Sequence, residues 1–331
     1  MESGCNTWRV HAYLKSLFSN APCFDYRIGR DEQTGAATIV LWQTGTMRAD
    51  FELYGCSLHL DFMKRKMNSY DWPYISVVAM DSNGSPRVVA EGIACTERNE
   101  AYVAAVKSLL DMSPGRTNEE VLAVFADGAL NKNILLPQNM NLPNARFVWD
   151  GFHLTHDIWP KDFGGSWCEQ LSGGLSAMLY ANSKEAFDAA VDSLNQIYAG
   201  NSNVLNKIHK IAGEKEHYAK YLLATYPGTC GKTSNNPAEQ NHSSIVAHLG
   251  GALYEEPASK IKKLLTRQRN LESVRNQEKA EYMFRIPAEI SKCPQLRTSF
   301  ELQKAKNSVD RLSYNLWHQE YIASQKLPMP S

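Results

Sequence analysis

The sequence lacks the features that mark several common classes of protein. It has no Cys-x-x-Cys pair, and its seven cysteines are scattered. That pattern argues against a disulfide framework and a cysteine-rich zinc module, and it fits a reducing compartment. No apolar run approaches the roughly 20 residues that span a membrane, and the first residues lack a secretory-signal pattern. We therefore expect an intracellular protein with no membrane partner.

The sequence also lacks an excess of charge of either sign. Lysine plus arginine equals aspartate plus glutamate at 35 each, so net charge neither indicates nor excludes a nucleic-acid partner. One local exception is the segment Ala258–Arg275, which contains six basic residues and one acidic residue, Glu272, and so has a net charge of +5. Two interpretations stay open for this segment: contact with a DNA backbone, or an ordinary solvated helix face.

Apolar runs separated by turn residues predict a mixed sheet. The runs typical of strands are Ala37–Trp42, Tyr54–Phe62, Trp72–Met80, Pro86–Ile93, Val121–Ala126 and Ala145–Trp149. An amphipathic pattern predicts a helix at Asn99–Leu110, between the fourth and fifth of them. Three meandering strands followed by helical crossovers make an α/β sheet with a parallel part. The length of 331 residues fits one large domain with an insertion, or two domains.

Helical patterns dominate after about residue 161. They cover Lys184–Ala199, Asn203–Tyr226 and Pro257–Phe284. Another helix is predicted to start near Pro237, because Asn236 suits the N-cap position and proline suits the first helical position.

Three acidic residues stand where this arrangement would bring them together. Asp61 and Asp127 close two predicted strands, and ligand chemistry in α/β sheets gathers at strand ends. Glu239, one turn inside a predicted helix, offers a third carboxylate. Neighbouring carboxylates repel unless a divalent cation lies between them, and paired ions can activate water in phosphodiester chemistry. The plain alternative is that each acid caps a turn. If the acids form a metal site, Asp61→Asn or Asp127→Asn should abolish cleavage and leave the fold intact, and the loss of a repelling carboxylate should slightly stabilise the metal-free protein.

Several motifs surround these acids in the chain. They are FELYGCSLHLD (51–61), DSNG (81–84), FADGA (125–129), WDGFH (149–153) and TSNNPAEQN (233–241). Together they resemble the catalytic core of the Mutator-like element transposases, a family that includes domesticated plant relatives. The fourth motif is similar to the family's signature of Cys or Asp, two residues, then His. The fifth is similar to the family's Asn-rich helix start around the catalytic glutamate.

The resemblance implies a ribonuclease-H-like mixed sheet with flanking helices and an all-helical insertion. It implies DNA cleavage and strand transfer that depend on Mg²⁺ or Mn²⁺, with Asp61, Asp127 and Glu239 as catalytic metal ligands. Asp150 and His153 would lie beside the site. The implied partners are transposon ends and target DNA, in the nucleus or between nucleus and cytoplasm, with a homodimer or higher oligomer left open. The basic residues next to Asp61 are candidate DNA phosphate contacts: Lys64, Arg65 and Lys66.

On this basis we divide the chain into five segments. They are a lead-in (1–50), the first part of the core (51–160), the helical insertion (161–232), the second part of the core with the catalytic glutamate (233–285), and a helical tail (286–331). The zinc-type DNA-binding modules usual in the family are not visible in the sequence. A fragment, a diverged element and a domesticated descendant are therefore all open.

Other functions remain alternatives at this stage. One is a domesticated DNA-binding or regulatory protein without catalysis, and another is a metal-dependent nuclease unrelated to transposition. A third interpretation concerns His153 and His156, which are three residues apart and carry a zinc-ligand spacing without a matching second pair.

Overall fold

A computed structural model describes most of the chain. The described residues are 3–20, 24–30, 37–63, 71–81, 85–97, 99–126, 140–226, 228–229, 236–249 and 257–290. The chain divides into two compact units, residues 1–79 with 86–260, and residues 80–85 with 261–331. Among the helices that the structure describes, none combines the length and the hydropathy of a membrane-spanning segment.

Seven strands form one mixed sheet. They are β1 (Asp25–Arg30), β2 (Ala37–Gln43), β3 (Ser57–Met63), β4 (Tyr74–Met80), β5 (Pro86–Ala94), β6 (Ala123–Ala126) and β7 (Arg146–Trp149). Their order across the sheet is β1-β2-β5-β4-β3-β6-β7. The predicted α/β class is confirmed at this level, because the chain combines this sheet with many helices.

Strand β3 lies between the antiparallel and the parallel parts of the sheet. It pairs antiparallel with β4 and parallel with β6, and β7 continues the parallel part beside β6. Strands β4 and β5 are neighbours separated by only five residues, too few for a crossover, so they form a hairpin. The meander and the parallel strands follow the order that the apolar runs predict. Strand β1 adds an edge strand that no apolar run indicated.

Eleven α-helices are described. They are α1 (Ser3–Asn20), α2 (Gly45–Tyr54), α3 (Asn99–Met112), α4 (Gly151–His153), α5 (Trp159–Phe163), α6 (Glu169–Leu179), α7 (Lys184–Ile197), α8 (Ser202–Gly213), α9 (Lys220–Leu223), α10 (Asn236–Leu249) and α11 (Pro257–Ile290). A π-helical turn, Leu154–Ile158, joins α4 to α5.

The segment Asn203–Tyr226, predicted to be helical, forms two α-helices, α8 and α9, with a break between them. Helix α8 ends at Gly213, a residue with low helix propensity. A short 3₁₀ turn follows, and the chain bends to bury Tyr218 completely, with its hydroxyl donating to the carbonyl of Ile211 at 3.0 Å. Burial of this large aromatic ring favours the break over a continuous helix.

The two faces of β3 have different surroundings. Leu58, Leu60 and Phe62 point to one face and belong to the main hydrophobic core, where the ring of Phe62 meets Tyr102 of α3 edge-on at 4.5 Å. Side chains alternate along a strand, so Asp61 points to the opposite face. Helix α10 lies against β3 and β5. One face of β3 therefore contributes to the apolar core, and the opposite face carries Asp61 toward the side where α10 lies.

Candidate metal centre

Asp61 of β3 stands directly opposite Ser76 of β4 in the antiparallel register. Residues that oppose each other in this way share one face of the sheet. His242 of α10 contacts both of them. Its Nε2 is 2.9 Å from Ser76 Oγ, and its Nδ1 is 3.2 Å from Asp61 Oδ2. One imidazole thus bridges a cross-strand pair and links α10 to two strands.

Helix α10 is held to the sheet by apolar packing near its start. Ala238 is fully buried in a small cluster with Met47, Val78 and Val88. Glu239 follows it directly, and His242 comes three residues later, on the same side of the helix. The packing of Ala238 therefore brings both polar side chains to the edge of the sheet where Asp61 lies.

Glu239 reaches a second histidine, which stands at the end of α4. Its Oε1 lies 3.4 Å from Nε2 of His153, whose Nδ1 is hydrogen-bonded to Oδ2 of Asp157 at 3.0 Å. His153 is thus placed between two carboxylates. All three side chains are partly exposed, from 25% for His153 to 49% for Asp157, so small ligands in solvent have access to them.

Asp150 completes a compact group of donors. It follows β7 directly and caps the start of α4, where its Oδ1 accepts hydrogen bonds from the amides of Phe152 and His153 at 2.7 and 3.4 Å. One ligand atom from each of Asp150, His153 and Glu239 lies within 4.8 Å of the others. Among the described residues, this is the one group of three side chains that can hold a metal ion.

The local electrostatics favour the ionised carboxylates. Hydrogen bonding with His153 holds the pKa of Glu239 below its usual value, and the nearby charges of His153 and His242 act in the same direction. Partial burial opposes the shift but does not cancel it. The pKa of Asp157 is likewise lowered, chiefly by its hydrogen bond with His153. Both acids are therefore anionic at neutral pH, as metal ligation requires.

The structure brings together some of the predicted site residues. Asp150 and His153, predicted to flank the site, form the donor group together with Glu239. Asp61 is within contact distance of His242 on the same helix as Glu239, but it is not a member of that group. The remaining predictions, Asp127 and the basic residues after Asp61, lie outside the described residues: Asp127, Lys64, Arg65 and Lys66.

Sequence reasoning missed three side chains that shape the site: Ser76, Asp157 and His242. Two of them leave a signal in the chain, because Asp157 is four residues after His153 and His242 is three residues after Glu239. Both spacings put the paired side chains on one face of a helix. Ser76 leaves no such signal, since it meets His242 only through the packing of α10 on β4.

The link from Ser76 through His242 to Asp61 has the atom connectivity of a serine-hydrolase triad. The accessibility of the serine excludes that chemistry. Ser76 is fully buried within the sheet, so a substrate carbonyl cannot reach its Oγ. The arrangement is therefore one that orients side chains and not one that attacks a substrate.

The zinc interpretation of His153 and His156 is not supported by the described residues. Nδ1 of His156 lies 3.0 Å from the carbonyl of Phe152, and its ring stacks on the Phe152 ring at 4.1 Å. His156 does not belong to the three-residue donor group. The two histidines therefore point to different partners.

The basic segment of α11 differs from a uniformly solvated face. Lys260 and Arg267 are buried, with 4% and 6% of their surface exposed. Lys262 is exposed.

Comparison with known proteins adds no relative to this picture. No protein-family model matches the chain, and no curated protein matches it.

Proposed function

We propose that this chain is the catalytic core of a DNA transposase that cleaves DNA and transfers strands with Mg²⁺ or Mn²⁺. The observation that carries the proposal is the position of α10. This helix sets Glu239 against His153 and Asp150, and three residues later it sets His242 against Asp61. Two of the three carboxylates of the proposed triad are thereby gathered around one helix.

The order of the strands supports the ribonuclease-H-like form of this proposal. Strand β3 forms a meander with β4 and β5, which lie on one side of it in the sheet. The parallel strands β6 and β7 lie on its other side. The described chain from Gly151 to Leu223 is almost entirely helical, as an all-helical insertion before the catalytic glutamate requires. Asp61 lies near the end of β3, and Asp127 follows the last residue of β6 in the sequence.

The donor set fits a divalent cation. Carboxylate oxygens suit Mg²⁺ and Mn²⁺, while an imidazole nitrogen is better suited to a transition metal, so Mn²⁺ accommodates both types. Asp157 engages Nδ1 of His153, which leaves Nε2 as the nitrogen directed at Glu239. A carboxylate–histidine pair of this kind orients metal-ligating imidazoles in many proteins. Asp150, His153 and Glu239 would hold the ion, and Asp61 and Asp127 are the further ligands that the transposase resemblance implies.

A divalent cation in such a site polarises a phosphate oxygen and lowers the pKa of bound water. The residues of the chain prepare the site by their charge and position. Asp61 and Glu239 present anionic oxygens at neighbouring elements, and the rings of His242 and His153 contact them. These contacts reduce the repulsion between carboxylates that would otherwise push them apart before a cation arrives.

A calorimetric Mn²⁺ titration tests the metal site. Parent protein should bind Mn²⁺, alone or with an oligonucleotide that supplies phosphate ligands. Glu239→Gln, Asp61→Asn and Asp127→Asn should bind it more weakly. Glu169→Gln, which removes an exposed carboxylate from α6, should bind like the parent. Absence of Mn²⁺ binding in the parent under both conditions would overturn the proposal and favour the non-catalytic DNA-binding alternative.

A DNA assay separates transposition from simple nuclease activity. Supercoiled plasmid should be nicked by the parent with Mn²⁺ but not by Asp127→Asn or Glu239→Gln. Joining of a labelled 3′-hydroxyl oligonucleotide to the plasmid would then support strand transfer. Nicking without joining would favour the metal-dependent nuclease, and nicking by Asp127→Asn at the parent rate would overturn the triad.

A further inference from the structure

His242 contacts Asp61, one of the proposed metal ligands, from a largely buried position. Its side chain is 9% exposed, and both ring nitrogens have close partners on the sheet. Nε2 meets Ser76 Oγ at 2.9 Å, and Nδ1 meets Asp61 Oδ2 at 3.2 Å. Because Asp61 and Ser76 are cross-strand neighbours, the imidazole spans both strands at once.

The chemistry of the three groups determines how the ring is used. An ionised carboxylate has only acceptor atoms, so the ring nitrogen facing Asp61 must carry a hydrogen. A serine hydroxyl rotates and can donate to the other nitrogen. The buried ring of a neutral histidine therefore adopts the Nδ1–H tautomer, with Ser76 donating to Nε2. This assignment gives each ring nitrogen a polar partner of matching character, a hydroxyl for Nε2 and a carboxylate for Nδ1.

We infer that His242 is a positioning residue, which orients the Asp61 carboxylate for the divalent cation and ties the helix of Glu239 to β3. The inference rests on the proposed function, because it assigns to Asp61 the role of a metal ligand. The contact engages Oδ2 alone, so Oδ1 can bind a cation without breaking it. Polar partners around ligating carboxylates are a general feature of metal sites.

The spacing along α10 gives the contact a second consequence. Glu239 and His242 lie about one turn apart on the same side of the helix. A link from His242 to β3 therefore sets the distance between two carboxylates that come from distant parts of the chain. Ser76, which is buried in β4, fixes the other side of the imidazole through its hydrogen bond with Nε2.

The test compares Mn²⁺ dissociation constants of the parent and two His242 variants. His242→Gln removes the ring nitrogen that faces Asp61, and the constant should rise about 10- to 100-fold, as for other partners of metal ligands. His242→Asn, whose shorter amide can place an N–H near the former Nδ1, should retain most of the affinity. His248→Gln is the matched control, because His248 is exposed on the same helix, and it should bind like the parent.

A double-mutant cycle distinguishes positioning from a merely structural role. In an Asp61→Asn background, His242→Gln should cause no further loss of Mn²⁺ affinity, since the group that it positions is already altered. If His242 had a merely structural role, His242→Gln would reduce the Mn²⁺ affinity equally in the parent and in Asp61→Asn. The nitrogen shifts of His242 in ¹⁵N-labelled parent protein should in addition show the Nδ1–H tautomer.

Each outcome decides between the two proposals. Mn²⁺ binding by His242→Gln equal to that of the parent, or full additivity in the cycle, overturns the positioning role and leaves the proposed function standing. No Mn²⁺ binding by the parent, with or without an oligonucleotide, overturns the proposed function and this inference with it. If His242→Gln does not fold, Ser76→Ala takes its place in the same cycle. Weaker Mn²⁺ binding then supports the inference, and unchanged binding overturns it.

Discussion

Oε1 of Glu239 lies 3.4 Å from Nε2 of His153, and this contact joins α10 to the end of α4. The two residues belong to separate sequence motifs and to elements on either side of the helical segment. Their meeting gives Glu239 a depressed pKa and places it beside Asp150.

Acid sensitivity should depend on Glu239. A carboxyl whose folded-state pKa is depressed contributes stability that is present above its ordinary pKa of 4.5 and is lost as pH falls through the folded value. The parent should therefore lose more stability than Glu239→Gln between about pH 5 and pH 3. Thermal melting across this range in the absence of metal measures the difference. Glu169→Gln should follow the parent, and identical pH profiles for the parent and Glu239→Gln would contradict the assignment.

Asp157 should influence metal binding without contacting the ion. It holds Nδ1 of His153 at 3.0 Å, so Asp157→Ala frees the imidazole to rotate or to change tautomer. We expect the affinity for Mn²⁺ to fall by about 10-fold, the lower end for such partners. Asp162→Ala, which removes a nearby exposed acid from α5, is the control. Equal affinities in the two variants would show that His153 needs no support from Asp157.

The free energy of unfolding of Asp61→Asn distinguishes two expectations, one based on carboxylate repulsion and one based on the contact with His242. Repulsion between carboxylates alone predicts a slight gain in stability. The contact with His242 predicts that the free energy of unfolding falls by about 1 kcal/mol. The imidazole interacts more strongly with the charged carboxylate of Asp61 than with the neutral amide of asparagine. Urea denaturation with a chelator present measures the change. The loss should vanish in a His242→Gln background, and a gain in the parent background would favour the repulsion argument.

Two adjacent glycines of α6 should respond to alanine in opposite directions. A methyl group at Gly174 would lie 2.4 Å from a methyl of the buried Leu194 in α7, whereas nothing lies within 4 Å of one at Gly173. Gly174→Ala should therefore destabilise the protein by about 1–3 kcal/mol through overpacking. Gly173→Ala should stabilise it by about 0.5–1 kcal/mol through helix propensity. Chemical denaturation of both variants checks the pair, and equal changes would contradict the packing of α6 on α7.

The strands of the sheet were largely predictable, and the exceptions have physical reasons. Apolar runs such as the one before Asp127 become strands because they are buried on both faces. Strand β1 (Asp25–Arg30) escaped notice because it is an edge strand of half-buried residues with two arginines and a glycine. Helix α2 (Gly45–Tyr54) was missed for a similar reason: only two of its side chains, Met47 and Phe51, are buried, too few for a clear helical period.

The candidate site was predictable where local motifs carry it. Asp150 and His153 stand within one short motif, and Glu239 stands at a recognisable helix start, so the resemblance of these motifs to the transposase family implied their involvement. The role of His242 was not, since its partner Ser76 is 166 residues away and belongs to an apolar strand without any motif. A serine in such a strand has no local property that marks it as a hydrogen-bond partner.

By itself, the sequence determined where most of the strands lie along the chain and which side chains share a helix face. Both follow from local backbone geometry, since strands alternate with period two and helices repeat every 3.6 residues. That geometry puts His153 and Asp157 on one helix face, and Glu239 and His242 on another, but it does not assign Asp157 or His242 to the site. Only the tertiary structure decided that Ser76 faces Asp61 and that His242 reaches both. Cross-strand register and the seating of α10 depend on packing between distant segments, which no local period encodes.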